Sequence, residues 1–182
     1  FFAAAGGGGM DGAGSWRGTP LHAAARHGRT EVVAALLKRG AAPDALDAAT
    51  GRTPLHATAK YYGVVAGRHG DTMDALLRAG SKPAARDRTG RTPLHAAAKS
   101  GATTALQRLA SRGGRQAGYK DARGRNALHL ALKQGHVGAA ELLADVAPEL
   151  IDMEDDAGWN PWTLLDMGGA PGLKQRKTEL ML

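Results

Sequence analysis

The octet TGRTPLHA stands at Thr50–Ala57 and again, letter for letter, at Thr89–Ala96. A catalytic site is rarely written twice within one domain, whereas a unit that stacks on copies of itself must be. Aligned on the octet, the chain gives TPLHAA at Thr19–Ala24, TPLHAT at Thr53–Thr58, TPLHAA at Thr92–Ala97 and NALHLA at Asn126–Ala131. A degenerate NPWTLL follows at Asn160–Leu165. The first residues of these copies are 34, 39, 34 and 34 positions apart. A fixed period of that length describes a solenoid.

Each copy carries its own punctuation. Thr or Asn is a favoured N-cap, and Pro at the next position is shaped for a first helical turn. The Ala-rich helix that follows ends near Gly28, Gly101 or Gly135, where glycine takes the left-handed conformation. A second helix shows apolar residues at helical spacing, as in EVVAALLKRG, where Val32, Val33, Leu36 and Leu37 are expected to face inward. Gly40, Gly80 and Gly113 stop these second helices. DRTG at Asp87–Gly90, DARG at Asp121–Gly124 and DDAG at Asp155–Gly158 then place Asp first and Gly fourth, a type I turn preference.

Turn, helix, turn, helix, with T-P-L-H-x-A opening each first helix, resembles the ankyrin-repeat family. The resemblance implies an all-α solenoid of four clear repeats, starting near 19, 53, 92 and 126, with β-turn fingers. A degenerate C-terminal capping repeat starts near 160. The repeat domain is read as residues 16–182, behind a flexible or partner-held tail over residues 1–15. Two departures stand out. The second repeat carries about six extra residues between its helices, in KYYGVVAGRHGD. The fifth reads Trp162-Thr163 where the others have Leu-His, and its second helix would be LKQRKTEL, polar as a terminal cap should be.

Composition narrows the function. A chain of 182 residues suits one domain with a real core, and aromatics at 4% favour small-residue helix packing. No segment approaches the roughly 18 consecutive apolar residues of a membrane span. Cysteine is absent, which excludes disulfides, thiolate metal sites and a cysteine nucleophile. The net charge of +7 favours nucleic acid, anionic lipid or an acidic protein as a contact. The opening FFAAAGGGGM has neither the basic n-region of a signal peptide nor the arginines of a transit peptide. It reads as the remainder of a processed precursor, a start at Met10, or part of a longer multidomain protein.

No constellation for catalysis emerges. His22, His56, His95 and His129 share one repeat position, but stacked repeats hold equivalent positions roughly 8–10 Å apart, too far to share one ion. The resemblance implies that this His bonds backbone and the Thr of its motif. His27, His69 and His136 lie near turns without a ligand-like cluster. GGGMDG at Gly7–Gly12 fits G-x-G-x-x-G but lacks the strand and βαβ context that would give it meaning. No serine sits in a nucleophile elbow, and the acidic DMEDD lacks the burial that tunes a general acid. No enzyme, cofactor or metal is expected.

Charge is the more informative signal. Arg26, Lys60, Lys99 and Lys133 occupy the eighth position of each first helix, and Arg52, Arg91 and Arg125 form a second series. Stacking turns each series into a stripe. The middle fingers add Arg86, Arg88, Arg115, Lys120 and Arg123, whereas the last is acidic: Glu149, Asp152, Glu154, Asp155 and Asp156. These stripes fit a solvated face, an acidic protein partner or, without interleaved aromatics, less well RNA phosphates. Tyr61, Tyr62, Val64 and Val65 in the insertion, and Trp159 at the acidic finger, are candidate aromatic and apolar anchors. The expectation is a non-catalytic protein–protein interaction module, a scaffold or accessory subunit inside a multi-subunit assembly. It would be intracellular, with an organelle compatible with the charge. The alternative is an RNA-associated ankyrin protein.

Overall fold

The computed structural model describes residues 18–62, 68–113 and 117–166. The tail over residues 1–15, Val64, Val65, Arg115 and the segment LKQRKTEL lie outside the described residues.

Four helix pairs follow one another: α1 (Pro20–Arg26) with α2 (Thr30–Lys38), α3 (Pro54–Tyr61) with α4 (Arg68–Arg78), α5 (Pro93–Ser100) with α6 (Thr103–Gly113), and α7 (Ala127–Lys133) with α8 (Val137–Val146). A final helix, α9 (Pro161–Asp166), opens the fifth copy. Each first helix starts where the motif places it. Thr19, Thr53, Thr92 and Asn126 are extended N-caps, and Pro20, Pro54 and Pro93 fill the first turn. The far end of α5 shows the stop: Gly101, at φ 71°, turns the chain so that the Ala102 N–H reaches the Ala97 carbonyl at 3.0 Å.

The helices form two rows. α1, α3, α5, α7 and α9 stack in order, while α2 packs on α4 and α6 on α8. Leu21, Leu55, Leu94 and Leu128, the leucines of the four motifs, are no more than 2% exposed. Ala25, Ala59 and Ala98 beside them are fully buried. Small residues there let neighbouring first helices approach closely, and the leucines fill the space between rows. In the fifth copy Trp162 occupies the leucine position at 5% exposure, so one large ring takes the leucine's place where α9 packs on α7. Thr163 stands in the histidine position and turns its hydroxyl back to the Asn160 carbonyl at 2.7 Å.

The expectation for α2 holds in part. Val33 is fully buried, and Leu36 and Leu37 pack partly buried against the core, but Val32 is 48% exposed. Among the described residues α2 has a stacking neighbour on one side only, α4, so its apolar face is half covered.

Candidate functional site

The motif histidines tie each repeat to the next. His22, His56 and His95 each hold Nδ1 2.9 Å from the hydroxyl of their own Thr. The backbone N–H of that Thr approaches the same nitrogen at 3.2, 3.2 and 3.3 Å. Their Nε2 atoms lie 2.8, 2.9 and 3.1 Å from the carbonyl oxygens of Arg52, Arg91 and Arg125. A carbonyl only accepts, so Nε2 carries the proton and Nδ1 accepts from Thr; these rings are neutral. Burial holds them below the ordinary histidine range, His95 at about 4. His129 sits likewise, with Nε2 2.8 Å from the Trp159 carbonyl and its pKa lowered by burial. With both nitrogens occupied inside the stack, these rings are joints. Among the described residues no three His, Asp or Glu side chains gather as metal ligands.

A second ladder joins the fingers. Arg52 Nε lies 3.2 Å from Asp87 Oδ2, and Arg91 Nε lies 3.2 Å from Asp121 Oδ2. Asp121 also receives the Arg125 guanidinium at 2.8 Å on Oδ2, and the Arg123 and Arg125 backbone N–H groups at 2.9 and 3.1 Å on Oδ1. Burial opposes that carboxylate, but the bonds from Arg125 and from the two backbone N–H groups outweigh it and hold Asp121 at about 2. The series Arg52, Arg91 and Arg125 is therefore engaged with finger carboxylates, and Arg125 is only 8% exposed. The second basic stripe is an internal ladder.

Above Asp121 opens a groove of about 450 Å³ between the third and fourth repeats. Arg88 and Arg91 border it from one finger, Arg123 and Arg125 from the next, Lys99 from α5 and Lys133 from α7. Leu130 contributes apolar floor, and Asp121 is the one carboxylate in the lining. Burial, and then the like charges of Arg91, Arg52, Lys60 and Arg125, lower the pKa of the Lys99 ammonium. Four sequence candidates, Arg88, Lys99, Arg123 and Lys133, thus meet here. Arg91 and Arg125, read as the second basic series, border it too, and Asp121, read only as the start of a turn, completes the place. The signal for Asp121 was its recurrence: Asp87 and Asp121 each stand four residues before an Arg of the ladder.

The other candidates lie apart. Arg26 and Lys60 sit 4.5 and 4.9 Å from the centre of the Tyr61 ring, a cation–π cluster at the first two repeats. Tyr62 packs partly buried against the core, its ring 6.1 Å from that of His69. Arg86 lies over Tyr119 at 5.2 Å and donates to the Lys120 carbonyl at 3.0 Å. Lys120 in turn donates to the Glu154 carbonyl at 2.7 Å, and Arg88, at the groove's edge, likewise donates to that of Ala48 at 2.8 Å. These cations brace neighbouring fingers. Trp159 is 37% exposed at the rim of the last finger.

Two comparisons bear on this architecture. The family described as Ankyrin repeats (3 copies) matches residues 61–156, and the single Ankyrin repeat matches residues 18–48. No curated protein matches the chain.

Proposed function

The chain belongs to the ankyrin-repeat family, and from that premise we propose that it is a non-catalytic module that binds an acidic protein segment in the groove between its third and fourth repeats. Ankyrin repeats generally serve protein–protein interaction. The observation that carries the reading is the lining: six cations border one groove, and its single carboxylate is already shared between two of them, Arg91 and Arg125. A partner's acidic side chains would supply the missing negative charge, with electrostatic complementarity giving register and speed of association. The partner's assembly, in which this chain serves as an intracellular scaffold or accessory subunit, would be met through that segment. Nucleic acid fits less well, because the lining holds no aromatic ring on which a base could stack.

The test is fluorescence anisotropy with a Glu-rich peptide and, separately, a uridine oligonucleotide of equal charge, on the native chain and on Lys99→Glu/Lys133→Glu. Peptide binding that the double substitution abolishes supports the reading. Preference for the oligonucleotide transfers the groove to nucleic acid, and indifference to both probes removes it as a binding site.

A further inference from the structure

Resting on that reading of the groove as a peptide site, we propose that its preferred ligand group is a phosphorylated side chain within the acidic segment. The case begins with how the cations are held. Arg91 and Arg125 come from successive fingers and turn their Nε edges to the same buried Asp121, at 3.2 and 3.4 Å. That carboxylate accepts five hydrogen bonds from protein groups, so it has little left for a ligand and acts as the post on which two guanidinium planes are fixed. The Arg91 side chain has no other acceptor among the described residues, and Arg91 borders the groove.

Lys99 and Lys133 approach the same space from α5 and α7, exposed and without an acidic partner among the described residues. Cations thus converge from two fingers and two helices. A carboxylate is planar and singly charged, and it satisfies one fork. A phosphomonoester near neutral pH carries close to two charges and three acceptor oxygens arranged tetrahedrally. It can accept from a guanidinium fork and from two ammonium groups at once. The crowding around Lys99, whose ammonium is disfavoured by burial and by four neighbouring cations, is relieved more by a dianion than by a monoanion.

Calorimetry with three Glu-rich peptides that differ at one central residue (serine, glutamate or phosphoserine) tests the claim. The phosphoserine peptide should bind roughly tenfold or more tighter than the other two. That advantage should vanish in Lys99→Gln/Lys133→Gln, which alters exposed positions and should leave the urea midpoint where it was. Equal affinity for the glutamate and phosphoserine peptides overturns the phosphate claim and leaves the acidic-peptide reading standing. Should none of the three bind, the peptide reading falls, and inorganic phosphate followed by NMR decides the anion itself. Saturable shifts confined to the groove residues, 88–91, 99, 121–125 and 133, would then support phosphate recognition, and their absence would overturn it.

Discussion

His95 Nε2 lies 3.1 Å from the carbonyl oxygen of Arg125, thirty residues later in the chain, while its Nδ1 accepts from Thr92 in its own repeat. One ring therefore satisfies buried polar groups of two repeats at once. His95→Ala leaves the Arg125 carbonyl and the Thr92 N–H without partners in a dry interior. The expected cost is on the order of 2–4 kcal/mol, read as a lowered urea midpoint with unchanged slope.

The same burial makes stability depend on pH in two stages. His22, His56, His95 and His129 are harder to protonate folded than unfolded, where the ordinary value is 6.5. What they contribute is whole above pH 6.5 and is lost as pH falls toward about 4, the folded value of His95. His95 alone should account for about 3 kcal/mol across that window. Asp121, held at about 2 against an ordinary 3.8, adds a second loss below pH 3.8. Urea unfolding followed from neutral pH downward should show both, and His95→Gln should flatten the first.

Two ion pairs of this chain should behave very differently. Asp121→Asn leaves the Arg125 guanidinium, whose side chain is 9% exposed, without its counter-charge and should cost about 3–5 kcal/mol. Arg112→Ala removes a contact to Asp74 made by a side chain 45% exposed and should cost under about 1 kcal/mol. Calorimetric unfolding of the two variants side by side checks the contrast.

Gly124 and Gly40 both take positive φ, at +71° and +86°. A side chain at Gly40 meets nothing within 4 Å, so Gly40→Ala should cost only the backbone term, about 1–2 kcal/mol. At Gly124 the added carbon would strike the carboxylate and backbone nitrogen of Asp156 in the next finger. Gly124→Ala should therefore cost clearly more than Gly40→Ala. It should also free the Asp156 N–H from the Arg123 carbonyl, 3.1 Å away, which hydrogen exchange at that amide would register.

Much of the fold was legible because its signals are local. N-cap, proline, leucine and histidine sit within four residues of one another and recur, so one reading serves every repeat. The exposure of Val32 was not legible, since periodicity marks a face but not whether a neighbour covers it. The cationic candidates were found, but their partition was hidden. Nothing in the spacing of Arg91 and Lys99 says that one reaches a buried carboxylate thirty residues on while the other does not. Tyr61 shows the same limit: a ring that reads as an anchor has two cations already lying on it.

The bonds of the four motif histidines run one way, from a ring in one copy to a carbonyl in the copy that follows, whereas His69 and His136 reach back to the Arg26 and Lys99 carbonyls of the copy before. The array thus has a sense, like a reading frame. Excising or duplicating one whole period rejoins a motif histidine to an equivalent acceptor. A cut of any other length across a histidine and its downstream carbonyl strands both. Change in the length of such a chain is quantised.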